Sequence, residues 1–390
     1  MLGFSTYAAL LPELRDAWRL SNAEAGVIAG MFFAGYVATV SYWTALTDRF
    51  DARKVYLAGS LIAAAASLGF GLLARGFASA VFFQVVLGVG IAATYMPGLR
   101  LLSDRVSGPG QSRSIATYTS FFGIGTALSL AAAGFIAARW GWGIAFVAAA
   151  VGPLLAGVMV LFLLQAVPPS GSKTSLSLFP IAAWREVLRN RACAGYTAGY
   201  MAHCLELFGS RGWMVAFLAF SATLHAGPSF PWQLPAIAAV INLLAVPASI
   251  FGNEMALRIG RRRWILLVMA ASGSCGILVG FSAPWHWAVV LALLVVYSMA
   301  VMAESGTLTA GLVAAAPAGL RGAAMGLYSL LGFGGGLLGP VVFGAALDAA
   351  GGSASPLAWV VAYAAIGAGC LSAPVVARIN WRRSPWNGSG

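Results

Sequence analysis

The stretch Thr47-Asp48-Arg49-Phe50-Asp51-Ala52-Arg53-Lys54 decides the fold of this chain, because it is a dense cluster of charge between two apolar segments. Each flanking segment is about 20 residues long, which is roughly the length that a helix needs to cross a bilayer. A second charged cluster, from Asn253 to Arg263, follows 208 residues later when Arg53 is aligned with Arg261. Two cationic turns at equivalent places in two halves predict a duplicated membrane protein, and such duplication is typical of secondary transporters.

Composition agrees with a membrane protein. Of the 390 residues, 60% are hydrophobic and only 9% are charged, and the mean hydropathy is +0.85. A net charge of +12 would suggest a nucleic-acid partner in a soluble protein, but these cations lie in short loops and therefore indicate membrane topology. The four cysteines have no paired spacing, so neither a disulfide framework nor a zinc motif is predicted. We expect no nucleic-acid partner and no cleavable signal peptide.

Twelve apolar spans are predicted, six in an N-terminal bundle at 1–165 and six in a C-terminal bundle at 195–378. We expect 166–194 to be a cytoplasmic linker and 379–390 to be a cytoplasmic tail. The first span reaches only about 16 Å of the roughly 30 Å of hydrocarbon, so we expect its N-terminal part to be missing. The spans are placed at 1–13, 24–46, 55–76, 79–102, 115–138, 142–165, 195–220, 233–254, 264–284, 286–313, 323–345 and 356–378.

The positions of Lys and Arg predict the orientation. If the chain starts on the cytoplasmic side, the cytoplasmic loops and tail hold 17 of the 23 cations and the opposite loops hold four. This excess follows the rule that positive loops stay inside. Together with an Ala-, Gly- and Arg-rich composition, it predicts a multi-pass protein of the bacterial cytoplasmic (inner) membrane with a cytoplasmic C-terminus.

The first charged cluster resembles the Gly-x-x-x-Asp-Arg-x-Gly-Arg-Lys signature that the major facilitator superfamily carries between its second and third spans. Thr44 stands in place of the first Gly, and Asp51-Ala52 replaces the second Gly with one extra residue. The residues that match the signature are Asp48, Arg49, Arg53 and Lys54. The resemblance covers the whole chain and implies an all-α bundle of twelve helices, six plus six, with a pseudo-two-fold axis. It also implies a monomeric transporter of a small-molecule solute, without a cofactor and without enzymatic activity.

The second cluster departs further from that signature. Gly260, Arg261 and Arg262 match it and Arg258 takes an Arg place, whereas a Leu stands where the acid would be; Glu254, one helical turn earlier, can substitute for that acid. The resemblance implies that these clusters lock the two halves closed on one side, because an acid at a helix end can pair with cations and with a neighbouring helix N-terminus. The alternative is that the cations only anchor the topology. The predicted lock residues are Asp48, Arg49, Arg53, Glu254, Arg258 and Arg261.

Glycines mark the fifth and eleventh spans. Small residues let helix backbones approach closely in a membrane, and a proline removes a hydrogen bond and permits a bend. Simple packing and a hinge both remain open. In the resembled family a Gly-Pro pair in span five is associated with exporters, and this chain has none there, which weakens an antiporter assignment. The predicted packing or hinge residues are Gly123, Gly125, Gly334, Gly339 and Pro340.

Ionisable residues at membrane depth are costly, so each is a functional candidate. Span seven carries Tyr200, His203, Glu206 and Ser210, and spacings of 3, 3 and 4 place them on one helical face. The resemblance implies that spans one, four, seven and ten line a central cavity, and the most unusual polar residues lie in three of these four spans. The predicted substrate and proton-coupling residues are Glu206, His203, Glu304, Arg100, Tyr200, Tyr95, Met96 and Tyr297.

Glu206 is the leading candidate for proton coupling, with His203 one turn away to share the proton or bind substrate. Arg100 and Arg211 can instead neutralise an anionic substrate, since Arg offers a fixed fork to a carboxylate. The alternative for Glu206 is a permanent structural pair with Arg211 or His203. We expect Arg211 to lie at the membrane interface and not to bind the solute.

Three other functions were considered. A copper-like metal transporter could use Met and Cys together with His203, but Met201 and Cys204 point away from the face of His203, so no metal site is predicted. A transporter-like membrane sensor remains an alternative. A membrane enzyme is disfavoured, because the chain has no P-loop and no nucleophile elbow. We therefore predict a secondary active transporter of a small solute, coupled to protons by symport or antiport.

Overall fold

A computed structural model describes residues 2–106, 110–167, 180–225, 230–317 and 319–381. All regular structure in these residues is helical. The helices are α1 (Thr6–Ala17), α2 (Asn22–Leu46), α3 (Ala52–Leu73), α4 (Phe77–Ser103), α5 (Gly110–Ala149), α6 (Val151–Leu163), α7 (Ile181–Arg189), α8 (Arg191–Thr223), α9 (Leu234–Ile259), α10 (Arg261–Phe281), α11 (Trp287–Met302), α12 (Ser305–Ala315), α13 (Arg321–Ala349) and α14 (Pro356–Trp381).

These helices form the predicted twelve-helix bundle. The chain turns from span five to span six inside α5, at Gly141, whose φ of 82° suits a residue without a side chain. Helix α6 continues span six, and span ten consists of α11 and α12 with a break at Glu304. Nine stretches of the described chain are long and apolar enough to cross a membrane, and one of them, 121–163, holds both sides of the Gly141 turn. The all-α, six-plus-six fold class is thus confirmed.

Local signals start several of the spans. Ser21 begins α2 with a capping box: its hydroxyl accepts a hydrogen bond from the Glu24 amide at 3.1 Å, and the Glu24 carboxylate accepts one from the Ser21 amide at 2.8 Å. The Asp51 carboxylate caps α3 by accepting from the Arg53 amide at 2.9 Å. Both caps lie in polar turns at the ends of apolar helices, so they fix where those helices begin.

The predicted linker and tail fall partly outside the described residues. Within 166–194, helix α7 and the start of α8 are described, whereas 168–179 lie outside the described residues. Helix α14 continues to Trp381, past the predicted start of the tail at 379, and 382–390 also lie outside. The boundaries of the two bundles stay a prediction.

Glycines bring helices together backbone to backbone within each half. A Cβ added to Gly88 on α4 would lie 1.9 Å from the Phe32 carbonyl oxygen on α2, and one on Gly35 would lie 2.0 Å from that of Val85. In the second half, a Cβ on Gly252 would lie 1.8 Å from the Ala303 oxygen. Lipid is as apolar as the side chains, so close packing of this kind replaces the hydrophobic effect as the force that joins the helices.

The glycines that the sequence predicts to pack or bend helices differ in how closely a neighbouring helix approaches them. A Cβ on Gly339 would lie 2.3 Å from the Leu205 oxygen, and one on Gly123 would lie 2.8 Å from the Val246 side chain, so both sit at close helix contacts. A Cβ on Gly334 would meet no atom within 4 Å, so the prediction of close packing is wrong at that position. The Pro340 carbonyl accepts a hydrogen bond from the Trp213 indole at 3.0 Å. A hinge role for these residues, and for Gly125, stays a prediction.

The two halves meet mainly through α2 and α13. We call the end of the bundle where Asn22 and Asp348 meet the Asp348 end, and the opposite end, with the first charged cluster, the Asp48 end. At the Asp348 end, the Asp348 carboxylate accepts hydrogen bonds from the Asn22 side chain at 2.7 Å and from the Ala23 amide at 2.8 Å. Arg15 donates to the Ser353 hydroxyl at 2.8 Å across the same junction. The described polar contacts between the halves therefore cluster at this end.

Candidate functional site

A cavity lies between the two halves, on the Asp348 side of the bundle's centre. The cavity and its opening to solvent together hold about 540 Å³ of empty space. A solute bound in this conformation must therefore have a smaller volume than this. Seven helices contribute, from both halves, so a movement of one half against the other changes its shape. The lining residues are Phe4, Ser5, Tyr7, Ala8, Ala29, Phe32, Phe33, Gln84, Thr126, Leu130, Phe208, Arg211, Gly212, Asn242 and Pro340.

One cation reaches this cavity, from α8. The Arg211 guanidinium contacts the Met302 sulfur at 3.5 Å, and no described carboxylate pairs with it. A thioether is a weak acceptor, so most of the five guanidinium N–H groups are left for a ligand or water.

Two buried amides accompany Arg211. Gln84 is 3% exposed and makes no hydrogen bond to a described residue, and the Oδ1 atom of Asn242, which is 2% exposed, also has no partner in the described chain. The Asn242 amide nitrogen donates to the Ala238 carbonyl at 2.8 Å, which fixes the side chain in place. Buried polar groups in proteins are normally paired, so these unpaired amides indicate a place for a polar ligand.

Aromatic side chains from both halves lie between the cavity and the Asp48 end. The ring of Phe33 on α2 contacts that of Phe208 on α8, with centroids 4.5 Å apart. Phe333 on α13 contacts Phe33 at 6.1 Å and Tyr36 at 4.8 Å. We call Phe33, Tyr36, Phe208 and Phe333 the aromatic cluster. It covers the cavity on one side, and its described contacts between the halves are between aromatic rings.

Three ionisable groups lie inside the second half. The His203 Nδ1 atom on α8 is 3.0 Å from the Glu304 Oε1 atom at the break between α11 and α12. The two side chains are 1% and 0% exposed, so they form a sealed carboxyl–imidazole pair that can share one proton. Glu304 Oε2 has no partner in the described chain.

Glu206 lies one turn further along α8 but has different partners. Its Oε2 atom accepts a hydrogen bond from the Ser272 hydroxyl on α10 at 2.9 Å, and the side chain is 0% exposed. The Tyr297 hydroxyl and the Cys370 thiol lie near the carboxylate without reaching hydrogen-bond geometry, and the Oε1 atom lacks a partner among the described residues. A sealed acid with one strong partner can hold a proton at low cost.

A family model of the Major Facilitator Superfamily matches residues 1–340, which is more than half of the chain. The chain belongs to the Major Facilitator Superfamily. The resemblance drawn from the charged clusters is thereby confirmed, and both the family and the fold are those of transporters rather than enzymes.

Two curated proteins are similar in sequence to parts of this chain. The niacin transporter NiaP of Acinetobacter baylyi is 26% identical over 163 residues, which are 42% of this chain and 36% of that protein. Protein spinster homolog 1 of Bos taurus is 22% identical over 272 residues, which are 66% of this chain and 51% of that protein. The chain thus spans about half or less of the length of the relatives it matches.

Solved structures give the same fold over almost the whole chain. A mutant of the nucleoside transporter NupG has a TM-score of 0.75 with 15% identity, covering 97% of both chains. A bacterial homolog of the human lysosomal transporter Spinster, in an inward-facing and unoccupied conformation, has a TM-score of 0.71 with 15% identity, covering 97% of this chain and 92% of that one. At such identities the likeness shows the superfamily fold alone.

The substrate and proton-coupling residues predicted in span seven and span ten do not line the cavity. Glu206, His203, Glu304 and Tyr297 all lie within the packed second half. The expectation that Glu206 pairs with His203 or with Arg211 is wrong, because Ser272 contacts Glu206 and the imidazole faces the other acid. Helical spacing placed these groups on one face but could not say which neighbouring helix each one meets.

Tyr200 and Tyr95 also lie outside the cavity. The Tyr200 ring stacks on Tyr328, with centroids 3.8 Å apart, and lies 5.8 Å from the His203 ring. The Tyr95 ring contacts that of Tyr118 at 5.6 Å, and Met96 follows Tyr95 on α4. Neither Tyr95 nor Met96 is among the residues that line the cavity.

Arg100 belongs to the Asp48 end and not to the cavity, which corrects its assignment as a substrate residue. Its guanidinium pairs with Asp48 at 3.1 Å and with Asp104 at 2.8 Å. Sequence reasoning left out this partner for Asp48, although an Arg in the last turn of α4 is a signal that could have indicated it. The pair joins two helices of the same half.

The other predicted lock residues have local or no described partners. Arg53 pairs with Asp51 at 2.6 Å and also donates to the Leu164 carbonyl at 2.7 Å, beyond the end of α6. Hydrogen bonds from Arg53 lower the pKa of the Asp51 carboxyl below its ordinary value. Arg49, Glu254 and Arg258 are exposed and form no ion pair within the described chain. The expectation that Glu254 replaces the missing acid finds no contact to support it.

The described residues contain no group of three or more His, Cys, Asp or Glu side chains that could hold a metal ion. Sequence reasoning missed Gln84 and Asn242, and treated Arg211 as interfacial. All three stand in otherwise apolar spans, and an amide in such a span is a signal that could have been used.

Proposed function

We propose that this chain is a secondary active transporter that moves a small organic solute by alternating access, coupled to protons. The observation that carries the proposal is the cavity between the halves, which is lined by seven helices and bordered by inter-half contacts at the Asp348 end. A cavity that both halves build can open to either side when one half rocks against the other.

The charge distribution supports a cytoplasmic position for the Asp48 end. Seventeen of the 23 cations fall on that side, as expected for a bacterial inner-membrane protein. With this orientation, the described contacts correspond to a conformation closed on the outer side. The names of the relatives, a niacin transporter and a nucleoside transporter, support a small organic solute.

Proton coupling is assigned to Glu206, His203 and Glu304. These groups are sealed in this conformation, and charged side chains at membrane depth are retained mainly where they carry ions or protons. Helix α8 carries two of them and also carries Arg211 into the cavity, so movement of this helix can connect proton binding to solute binding. Glu304 lies at the break between α11 and α12, so no continuous helix holds its backbone in one position.

The charged cluster at the Asp48 end is assigned the role of holding the first half rigid, because its described contacts lie within that half and not between the halves. Asp48 and Arg100 tie α4 to the end of α2, and Arg53 ties α3 to the end of α6, so the first half moves as one unit. A rigid half is what rocking between two conformations requires.

The test uses purified protein in liposomes that contain a pH-sensitive dye. A panel of small metabolites is first screened by thermal shift, because specific binding stabilises the folded protein by mass action. The solute that binds is then added under a pH gradient. With wild-type protein, we expect solute transport to be accompanied by proton movement, which the dye reports. We expect proton movement to be lost with Glu206→Gln and with Glu304→Gln, and to be retained with Glu13→Gln, whose acid is exposed at the Asp348 end.

Solute flux that is independent of the pH gradient would remove the coupling assignment. Unchanged proton movement with Glu206→Gln would remove the role of that residue. Chemical change of the bound solute, or binding without flux, would favour an enzyme or a sensor over a transporter.

A further inference from the structure

We propose that the cavity binds a small aromatic monocarboxylate, with its carboxylate on Arg211 and its ring among the phenylalanine side chains. This inference rests on the proposed function, since it names the class of solute. It is carried by three features of the cavity: its charge, its unpaired amides and its walls.

The charge of the cavity is that of Arg211. Arg211 is partly buried, and an ion taken out of water without a partner is costly, so proteins pair such ions or place them where a ligand completes the pair. The guanidinium donates to the Met302 sulfur, and no carboxylate among the described residues pairs with it. The planar fork of Arg matches a carboxylate with two parallel hydrogen bonds.

The cavity also discriminates against cations. None of its lining residues in the described chain is Asp or Glu, and the acids Glu206 and Glu304 are buried within the second half. An ammonium group would therefore meet Arg211 and no counter-charge. A monoanion leaves no charge unpaired, whereas a zwitterion would leave one.

The amides add polar contacts on both sides of the cavity. Gln84 comes from the first half and Asn242 from the second, and the unpaired Oδ1 atom of Asn242 is an acceptor. The Gln84 amide nitrogen can donate to the second carboxylate oxygen, whereas the Asn242 Oδ1 atom can only accept, from an N–H or O–H group on the ring. Because one amide comes from each half, a bound solute links the halves.

The walls favour a flat ring. Phe4 contacts Phe32 edge to face, with centroids 4.9 Å apart, and Phe33 at 6.1 Å. Phe33 and Phe208 of the aromatic cluster also line the cavity. Aromatic rings pack well on one another in such edge-to-face and offset arrangements, so a planar aromatic solute fits better than a branched one of equal size.

The experiment measures equilibrium binding to the purified full chain by calorimetry at pH 7, without any gradient. The probes are benzoate, its neutral analogue benzamide, and cyclohexanecarboxylate, which keeps the charge and loses the aromatic ring. We expect benzoate to bind most tightly. We expect Arg211→Gln to weaken benzoate binding about 10- to 100-fold, the usual loss for a hydrogen-bonded charge pair, with little effect on benzamide.

Arg139→Gln is the matched control, because Arg139 is exposed and lies over the Phe135 ring, away from the cavity. If Arg211→Gln does not fold, Gln84→Leu replaces it and is expected to weaken benzoate binding several-fold, because a donor to the carboxylate is lost. Equal binding of benzoate and benzamide, no binding of any probe, or an unchanged affinity in all cavity variants would overturn the proposal.

These outcomes are separate from those of the transport test. Binding at equilibrium does not depend on protons, so a wrong coupling assignment leaves the benzoate result intact. If another class of solute is transported with protons while benzoate fails to bind, the substrate class is wrong and the proposed function stands.

Discussion

Asp348 holds the two halves together at one end, and its removal should change the balance between conformations. The carboxylate accepts hydrogen bonds from the Asn22 amide at 3.2 Å, the Asn22 side chain at 2.7 Å and the Ala23 amide at 2.8 Å. These donors are the N-terminus of α2, where a negative charge is favourable. We predict that Asp348→Ala destabilises the conformation that is closed at this end.

The magnitude follows from the exposure of the site. A hydrogen bond to a charged group contributes about 1.5–3 kcal/mol when it is well shielded, but Asp348 is exposed, so screening reduces each contact to a fraction of that range. We therefore expect a total of about 1–2 kcal/mol. This corresponds to a shift of about 5- to 30-fold in the ratio of the two conformations.

The assay is a distance measurement between spin labels on Ala17→Cys and Ala354→Cys, which are exposed positions at the Asp348 end in opposite halves. Because the chain contains four native cysteines, these are first replaced and binding is checked. We expect Asp348→Ala to increase the population with a long distance between the labels. Glu13→Gln is the control, since it removes an acid at the same end without breaking a described contact. A distance distribution in Asp348→Ala equal to that of the parent would refute this account of closure.

Two further predictions concern the lock and the helix packing. Asp48→Asn breaks the 3.1 Å pair with Arg100, so it should change the labelling rate of a cysteine placed at Thr126 in the cavity, and equal labelling in mutant and parent would count against a lock. Gly88→Ala should lower the melting temperature by several degrees, because the new methyl group would lie 1.9 Å from the Phe32 oxygen and overpacking costs about 1–3 kcal/mol. Gly195→Ala is its control, since a methyl group there meets no atom within 4 Å, and equal melting temperatures would contradict the packing argument.

Much of the geometry around the predicted residues could not be inferred from the sequence. The spacing of His203 and Glu206 correctly placed them on one helix, but their partners, Glu304 and Ser272, come from other helices. Arg100 was assigned to the cavity because it stands in span four, whereas its position in the last turn of α4 brings it to Asp48. Each of these errors concerns a contact between segments that are far apart in the chain.

The amino-acid sequence by itself determined that the protein is a multi-pass membrane protein, that its spans are helical and that it belongs to this superfamily. Hydropathy, helix length and loop charge are properties of single segments, and the bilayer acts on each segment almost independently. Only the tertiary structure decided that Arg211, Gln84 and Asn242 line one cavity. It also decided that Glu206 and Glu304 are buried within the second half and do not line that cavity. The rotation of each helix about its axis depends on how its neighbours pack, through glycine contacts such as that of Gly88, and no single segment contains that information.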